Sequence, residues 1–472
     1  MRTLNPILTG ALLLLLGAVA GAQTVQFSTL TNLNGTNGSY PYAALTLGNS
    51  GNLYGAVYEG GSNNYGAIIE VTPAGTVLPF YSFNAAVSDG IHSTNSTGGF
   101  PYGGLILAND GNLYGPAASG GTNGAGAIYK ITNGTVRLCF NFGATTNGTN
   151  ATGAAPEGKL ALGPDGNFYG TTYLGGLYGR GTVFKLTTNA VFTKLIDFTG
   201  TNGGNPECGL TAGNDGNFFG VTYYGGTNNN GTVFKVTTNG SFTSLYSFPT
   251  GGVTASFNYT NINGANPAAA LTRGNDGLLY GTAHSGGIYG AGTIFKITTN
   301  GVLTTLLQFN NTNGGAPLGE LLLAGDGNFY GTTPAGGTNK SGAIFKLTAN
   351  GSFNLLFSFS PSVNSGHGFT NNTGSSPYAG LAVGNDGAFY GTTTGAGASG
   401  LGTVYRLSVS SGSIPLGYQL LSTNLILNWS SAAFSLQSAP EASGTYSNVP
   451  GATSPYTNPV VGNRKFFRLI EN

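Results

Sequence analysis

The sequence predicts an all-β fold: a seven-bladed β-propeller closed by its N-terminal strand, followed by a small C-terminal β module. Three observations lead to this prediction. One motif recurs seven times, each repeat contains strand candidates in a common order, and the strand that the seventh repeat lacks is present near the N-terminus. No window shows the periodicity and capping residues of a sustained helix.

The repeats are marked by a pentapeptide, Gly-Asn-Leu-Tyr-Gly, and its close variants. They begin at Gly51, Gly111, Gly166, Gly216, Gly277, Gly327 and Gly387. Each of these glycines lies ten residues after a proline, namely Pro41, Pro101, Pro156, Pro206, Pro267, Pro317 and Pro377. Four antiparallel strands in each repeat of this length are typical of propeller blades.

Repeat 4 shows the four strand candidates well. They are strand A at Gly209–Gly213, strand B at Phe218–Tyr223, strand C at Thr232–Thr237 and strand D at Phe242–Phe248. Asp215-Gly216 joins A to B and Asn239-Gly240 joins C to D, and both dipeptides favour tight turns that match strand twist. Four residues after each repeat's proline stands a leucine, which we expect to pack between neighbouring blades: Leu45, Leu105, Leu160, Leu210, Leu271, Leu321 and Leu381.

The last repeat lacks an outer strand, because its strand C ends near Val409 and no Phe-x-x-Leu-x-x-Phe motif follows. Residues 27–33 match that motif with Phe27, Leu30 and Leu33. We therefore expect the N-terminal strand to pair with repeat 7 and close the ring, which leaves few unpaired edges. The alternative is an open solenoid of seven units.

The first 22 residues are predicted to be a secretory signal peptide. Arg2 precedes the apolar run Ile7–Ala20, and Ala20-Gly21-Ala22 is an A-x-A cleavage site. No later stretch reaches about 18 uninterrupted apolar residues, so we expect no membrane span in the mature chain. The expected domains are the signal peptide at 1–22, the propeller at 23–411 and a small β-sandwich-like module at 412–472. Cleavage near Ala22 predicts a secreted or extracytoplasmic protein in the periplasm, at the cell surface or outside the cell.

Charge argues against several partners. Only 7% of residues are charged, against about 25% in ordinary domains. Cleavage after residue 22 removes one of 16 basic and none of 15 acidic residues, so the mature net charge is zero. Nucleic acid and anionic membranes attract a basic face, and this composition provides none. We expect a monomer without a cofactor.

One segment of the third repeat stands for the motif as a whole: Asp-Gly-x-Phe-Tyr-Gly-Thr-Thr-x-x-Gly-Gly, then Gly-Thr-Val-Phe-Lys-Leu-Thr, between Asp165 and Thr187. It resembles the GloVer-type tandem repeat of Gloeobacter and Verrucomicrobia, found in secreted bacterial proteins, and the resemblance extends over all seven repeats. The resemblance implies an extracytoplasmic location and no established activity.

Beyond about Gly412 the repeat stops. The strand candidates there are Leu425–Trp429, Phe434–Gln437, Thr445–Val449 and Lys465–Ile470. This segment resembles the small fibronectin- or immunoglobulin-like modules that end many secreted bacterial proteins. With about 60 residues, it is shorter than a full sandwich of about 100.

Six repeats place an aspartate in the A–B turn: Asp110, Asp165, Asp215, Asp276, Asp326 and Asp386. Six repeats also place a basic residue in strand C: Lys130, Lys185, Lys235, Lys296, Lys346 and Arg406. Because the two positions fall at the same end of the sheet, we expect ion pairs. Calcium, which takes six to eight oxygen ligands, is the alternative, but one carboxylate per blade is too few. We expect no metal site.

Paired carboxylates are the strongest sign of catalysis. Glu157 and Glu207 each follow the proline in adjacent repeats, where Tyr42, Tyr102 and Tyr378 stand in three others. These residues should surround the mouth of the central channel, and two nearby carboxylates can perform acid–base chemistry on a glycoside. One interpretation is therefore a polysaccharide hydrolase or lyase that uses this pair. The other is that the two glutamates are solvated side chains beside the channel.

Loop length differs between the two faces. The D–A linkers lengthen at 84–100, 143–155, 249–266 and 360–376, on the face that also carries the B–C loops. Insertions confined to one face often mark the binding face of a repeat fold. Candidate ligand-binding residues in the B–C loops are Tyr58, Glu59, Tyr173, Tyr223, Tyr224 and His284. We thus expect a non-catalytic binding propeller for a glycan or cell-surface partner. A structural surface protein is a further alternative.

Overall fold

The computed structural model describes residues 24–88, 93–253, 259–364, 369–410, 417–421, 424–428, 434–441, 445–459 and 465–471. The expected signal peptide and its cleavage site lie outside the described residues. The chain divides into two units, one of which is Phe27–Ser408 and the other the chain ends beyond it.

The described part of Phe27–Ser408 is built from seven four-stranded antiparallel sheets and three two-stranded ribbons. β1 spans Thr24–Asn32, and the first sheet contains β2 (Thr46–Leu47), β3 (Leu53–Val57), β4 (Ala67–Val71) and β5 (Val77–Ser82). A ribbon of β6 (Val87–Ser88) and β7 (Ser93–Thr94) leads to the second sheet of β8 (Ile106–Leu107), β9 (Leu113–Ala117), β10 (Ala127–Thr132) and β11 (Thr135–Asn141). The third sheet contains β12 (Ala161–Leu162), β13 (Phe168–Thr172), β14 (Thr182–Leu186) and β15 (Phe192–Asp197).

The remaining sheets follow the same order. The fourth contains β16 (Thr211–Ala212), β17 (Phe218–Thr222), β18 (Thr232–Val236) and β19 (Phe242–Ser247), followed by the ribbon β20 (Gly252–Val253) and β21 (Tyr259–Thr260). The fifth contains β22 (Thr272–Arg273), β23 (Leu279–Ala283), β24 (Thr293–Ile297) and β25 (Leu303–Gln308). The sixth contains β26 (Leu322–Leu323), β27 (Phe329–Thr333), β28 (Ala343–Leu347) and β29 (Phe353–Ser358), followed by the ribbon β30 (Val363–Asn364) and β31 (Phe369–Thr370). β32 (Ala382–Val383), β33 (Phe389–Thr393) and β34 (Thr403–Ser410) belong to the seventh.

The innermost strands are shorter than the sequence predicts. The expected strand Gly209–Gly213 is reduced to the two paired residues of β16, whereas β17, β18 and β19 end within one residue of their predicted limits. The reason is a close approach between repeats: a Cβ atom at Gly209 would overlap the Lys159 carbonyl oxygen. This segment lies against the neighbouring repeat rather than pairing within its own sheet.

The seventh sheet takes its outer strand from the beginning of the chain. Its strand order is β1-β34-β33-β32. The backbone N–H of Leu33 donates to Gly402 at 2.9 Å, and Leu33 is fully buried. The ring of Phe27 stacks on that of Phe357 with centroids 4.0 Å apart. The pairing is the one that the Phe-x-x-Leu-x-x-Leu pattern of residues 27–33 predicts.

The seven leucines that follow the prolines are buried between neighbouring sheets, with exposed fractions from 0% to 7%. Leu45 of the first repeat, for example, shares a core cluster with Ala382 and Val404 of the seventh. Leu160 packs in the same way with Ile128 of the preceding repeat and Phe184 of its own. Burial of a leucine side chain contributes about 1.5–3 kcal/mol.

Consecutive repeats are also joined by backbone hydrogen bonds. The residue before each proline donates to a carbonyl in the B–C loop of the preceding repeat, and the bond from Tyr40 to Leu401, at 3.2 Å, joins the first repeat to the seventh. The seven donors have φ between 51° and 55°: Tyr40, Phe100, Ala155, Asn205, Asn266, Ala316 and Ser376. Left-handed backbone is unusual for residues other than glycine, so these bonds maintain a strained conformation.

The C-terminal unit contains two three-stranded sheets in its described residues. Its strands are β35 (Gly417–Leu421), β36 (Asn424–Asn428), β37 (Phe434–Ala439), β38 (Ser447–Asn448), β39 (Tyr456–Pro459) and β40 (Phe466–Glu471). The sheets have the orders β35-β36-β39 and β38-β37-β40. Leu425, Leu427, Leu436 and Phe467 form the unit's core. The sequence identified β36, β37, β38 and β40 but missed β35 and β39.

Candidate ligand-binding site

Two faces of the Phe27–Ser408 unit are distinguished by their connections. We call the face formed by the D–A linkers and B–C loops the loop face, and the opposite one, with the A–B and C–D turns, the turn face. On the loop face, a linker residue bridges a B–C loop in every repeat: Ser39 with Glu59, Gly99 with Ser119, Ala154 with Leu174, Gly204 with Tyr224, Ala265 with Ser285, Gly315 with Ala335, and Ser375 with Gly395.

Ion pairs occur on the turn face. Four of the six expected pairs form: Asp110–Lys130 at 2.9 Å, Asp165–Lys185 at 2.8 Å, Asp326–Lys346 at 3.4 Å and Asp386–Arg406 at 2.7 Å. Burial of Asp165 opposes its ionisation, but hydrogen bonds from Lys185, Asn167 and Tyr169 outweigh that effect and hold its pKa below the usual value.

The expected pair is absent in the fourth repeat, where Asp215 accepts hydrogen bonds from Asn217, and in the fifth. Asp276 accepts from the Tyr280 hydroxyl at 2.7 Å, while Lys296 donates to the Ala349 carbonyl at 3.4 Å. In the first repeat, where the acid and base positions differ, Glu70 accepts from the Tyr54 hydroxyl at 2.8 Å. The turn-face carboxylates therefore have protein partners. Within the described residues, no group of three or more His, Cys, Asp and Glu side chains is placed to hold a metal ion.

A cavity of about 100 Å³ lies where the innermost segments of all seven repeats meet. Each repeat contributes the three residues after its proline: 42–44, 102–104, 157–159, 207–209, 268–270, 318–320 and 378–380. The candidate residues Tyr42, Tyr102, Tyr378, Glu157 and Glu207 are thus brought together at one cavity, which we call the central cavity.

One side of the central cavity is aromatic. The rings of Tyr42 and Tyr102 stack with centroids 4.8 Å apart. Tyr58 and Tyr378 meet Tyr42 nearly at right angles, at 5.4 Å and 5.5 Å. Tyr58 comes from a B–C loop, so the aromatic group continues from the cavity onto the loop face. Its neighbour Glu59 bridges the linker at Ser39.

Glu157 and Glu207 form the acidic side. Burial, together with the charge of Glu207, raises the pKa of Glu157 to about 8. Burial alone raises the pKa of Glu207 to about 7. Burial and then these two glutamates also raise the pKa of the Tyr102 hydroxyl. Near neutral pH the Glu157 carboxyl is therefore largely protonated, whereas the Glu207 carboxyl is about half protonated.

A second aromatic group lies on the loop face. The rings of Tyr223 and Tyr224 are 4.7 Å apart and nearly perpendicular, and the ring of His284 is 6.3 Å from that of Tyr223. Tyr173 is close enough to Glu207 and Glu157 for their charges to raise its pKa, after burial. Burial lowers the pKa of His284, so the neutral imidazole is favoured, with Nδ1 3.3 Å from the Ala316 carbonyl oxygen.

The structure adds loop-face residues that the sequence analysis missed. Leu177 and Tyr178 in one B–C loop, and Ile288 and Tyr289 in another, are at least half exposed. The only signal in the sequence is their position between glycines of the B–C loop. Of the long linkers, 84–100, 249–266 and 360–376 contain the ribbons, whereas 143–155 contains a bridge from Thr146 to Thr149.

The comparisons with known proteins find one family. The model described as the Gloeobacter/Verrucomicrobia repeat matches residues 87–256 and 249–368. No curated protein matches the chain. Within the described part of the chain, no helix has the length and hydropathy needed to cross a bilayer.

Several solved structures are similar to the chain over most of its length. The extracellular domain of a candidate one-component system from B. thetaiotaomicron is 12% identical, with a TM-score of 0.49, and the alignment covers 95% of this chain and 58% of that one. A candidate 6-phosphogluconolactonase from Bacteroides uniformis is 15% identical, with a TM-score of 0.42 and coverages of 89% and 98%. A candidate 6-phosphogluconolactonase from Bacteroides fragilis is 15% identical, with a TM-score of 0.40 and coverages of 95% and 98%. The chain thus spans 58% of the length of the first of these proteins. Similarity at this level carries no information about activity.

Proposed function

The chain belongs to the Gloeobacter/Verrucomicrobia repeat family, and from that premise we propose that Phe27–Ser408 is a closed seven-bladed propeller that binds a ligand on its loop face without catalysis. The ligand is a glycan or another polar uncharged molecule. Binding takes place outside the cytoplasm, after removal of the signal peptide that residues 1–22 predict, and the protein acts as a monomer.

Three contacts support a closed ring. β1 completes the sheet of β32, β33 and β34. The hydrogen bond from Tyr40 to Leu401 is equivalent to the bonds that join the other repeats. The hydroxyl of Thr392 donates to the Pro41 carbonyl at 3.4 Å, again from the seventh repeat to the first. A closed ring is what allows every repeat to contribute to one cavity.

The loop-face bridges support the proposal about binding, because they hold the D–A linkers and B–C loops of all seven repeats on one face. Aromatic rings provide platforms for the apolar faces of sugars, and amides and hydroxyls match sugar hydroxyls. Tyr224 is 39% exposed and lies beside Tyr223. A chain with 7% charged residues offers a neutral polar surface rather than a strong field.

The hydrolase or lyase alternative rests on Glu157 and Glu207. An acid–base pair needs surroundings that push the two pKa values apart, so that one carboxyl is protonated while the other is ionised. Here burial raises both, to about 8 and about 7. The two carboxyls therefore titrate in the same pH range, without the wide separation that assigns one as acid and the other as base. This favours binding over hydrolysis.

Binding to a glycan array tests the proposed function. We expect the mature protein to bind at least one glycan, and Tyr223→Ala and Tyr224→Ala each to weaken binding at least tenfold. Val191→Ala is the matched control, because Val191 is an exposed apolar residue, 60% accessible, in a turn-face loop. The absence of binding to any glycan would contradict the proposal and favour a structural surface protein.

A panel of polysaccharides tests the enzymatic alternative. We expect no release of reducing ends or unsaturated products by the wild-type protein. Release that is abolished by Glu157→Gln or Glu207→Gln would overturn the proposal of non-catalytic binding.

A further inference from the structure

The size of the central cavity limits what can enter it. Its volume of about 100 Å³ is smaller than the cavity of about 150 Å³ that holds a benzene molecule. A hexose ring is larger than benzene, so a sugar would lie over the opening beside Tyr58 rather than inside. The cavity itself has room for a small ammonium group, whose larger substituents would extend into the opening beside the tyrosine rings.

The charged groups around the cavity are mostly acidic. Glu157 and Glu207 line it, and no hydrogen bond or ion pair within the described structure reaches either carboxyl group. Lys159 and Glu320 also line it, and Lys159 forms no ion pair with a described acid within 4.0 Å. Glu59 adds a charge near Tyr58 and Tyr42 at the opening. Two neighbouring carboxyls without partners form a place where a positive charge would be stabilised.

The aromatic side of the cavity favours the same kind of ligand. A cation within about 6 Å of a ring centroid is attracted to the electron-rich face, and cages of several rings recognise quaternary ammonium groups. Tyr102 combines both features, because its ring stacks on Tyr42 and its hydroxyl is affected by the charges of Glu207 and Glu157. Tyr58 and Tyr378 add two rings that are nearly perpendicular to Tyr42.

We propose that the central cavity binds a small organic ammonium group, with the tyrosine rings around its substituents and Glu157 and Glu207 as counter-charges. The inference goes beyond glycan binding, because it assigns a charged ligand to a cavity that a sugar ring cannot enter. An amino sugar is one source of such a group, and a free quaternary amine is another.

Binding of a cation in this arrangement should release protons from the carboxyl groups of Glu157 and Glu207. A permanent cation is bound best by ionised carboxylates, whereas both carboxyls of the free protein are protonated at low pH. Their pKa values of about 8 and about 7 place the transition near neutrality. Below that range, affinity falls about tenfold per pH unit for each proton that must be released. Burial raises the pKa of the surrounding phenols of Tyr42, Tyr58, Tyr102, Tyr173 and Tyr223, so they stay neutral between pH 6 and 8.

Calorimetric titration of the mature protein with choline tests the proposal. Its control ligand is the neutral isostere in which a tert-butyl group replaces trimethylammonium. We expect choline to bind at least tenfold more tightly than the isostere, with affinity at least tenfold lower at pH 6 than at pH 8. Equal affinities for the two ligands, a lack of choline binding, or affinity independent of pH would each overturn the proposal.

Variants separate the two sides of the cavity. Glu157→Gln with Glu207→Gln should lower choline affinity at least tenfold and remove its pH dependence, whereas Glu70→Gln on the turn face should change neither. Tyr102→Leu should weaken choline binding, whereas Tyr102→Phe, which keeps the ring, should retain most of the wild-type affinity. Unchanged binding in the double Glu variant would contradict the assignment even if all variants fold.

A pair of oligosaccharides separates this proposal from glycan binding. Oligomers of glucosamine and of N-acetylglucosamine share one backbone and differ in the charged amine. Preference for glucosamine oligomers supports an amino sugar as the source of the ammonium group. Choline binding without any glycan binding leaves the proposal standing and contradicts the proposed function. Glycan binding without choline binding contradicts the ammonium proposal and leaves the proposed function standing.

Discussion

Replacing Glu157 by glutamine should make the stability of the protein less dependent on pH. Glu157 is protonated in the folded state up to about pH 8, whereas an unfolded glutamate ionises near 4.5. Below pH 4.5 Glu157 is protonated in both the folded and the unfolded state, so it does not lower the free energy of unfolding. As pH rises from 4.5 to 8, the unfolded state loses its proton first, and the folded state becomes progressively less stable.

The magnitude follows from the pKa difference. At 1.36 kcal/mol for each pH unit between 4.5 and about 8, the penalty approaches about 5 kcal/mol at pH 8.5. Part of it comes from repulsion by Glu207, so Glu157→Gln and Glu207→Gln together should not be additive. We expect Glu157→Gln to match the wild type at pH 4.5 and to be more stable by about 3–5 kcal/mol at pH 8.5.

Urea denaturation at pH 4.5, 6, 7 and 8.5 measures this effect, with Glu70→Gln as the control on the turn face. The wild-type midpoint should fall with pH, and that of Glu157→Gln should fall less steeply, because Glu207 still carries a pKa raised to about 7. Parallel curves for the two proteins would refute the idea that the cavity disfavours ionisation. A fall in stability of Glu157→Gln at every pH would show that the carboxyl group is a structural hydrogen-bond partner instead.

Three further predictions concern the fold. Leu160→Ala should cost about 2.7–5 kcal/mol in urea denaturation, because this side chain is 2% exposed between two sheets; a loss below about 1 kcal/mol would contradict the packing. Ala316→Gly should raise the free energy of unfolding by up to about 1 kcal/mol, because glycine accepts the left-handed backbone more readily; a loss of stability would contradict this. Asp165→Asn should cost no more than about 1 kcal/mol, because the pair with Lys185 is partly exposed, and 1 M salt should reduce the difference; a larger, salt-independent loss would show a structural role beyond the ion pair.

The parts of the fold that depend on local pattern could be predicted. The period-two alternation of residues 232–237 and the Asn239-Gly240 turn gave β18 and β19 to within one residue. The inner strand could not be predicted in the same way, because its length depends on the carbonyl of Lys159 in another repeat. The left-handed residues before the prolines are Tyr, Phe, Ala, Asn and Ser, so no residue type marks them.

The candidate site was predicted in part for similar reasons. The common offset from the prolines placed Glu157, Glu207 and Tyr102 at one ring of positions, and they line one cavity. The contact between Tyr42 and Tyr58 joins an inner segment to a B–C loop, and spacing along the chain does not determine how far a loop extends. The burial that raises the two glutamate pKa values depends on all seven repeats and is not encoded in any one of them.

The central cavity depends on the ring being closed by β1, because only then do all seven repeats line it. Deleting residues 23–34 and following backbone amide exchange tests this most directly. We predict that β32, β33 and β34 lose protection first, while the third sheet, β12 to β15, keeps its protection. Equal protection of the seventh and third sheets in the deletion variant, at wild-type levels, would contradict closure and favour an open array.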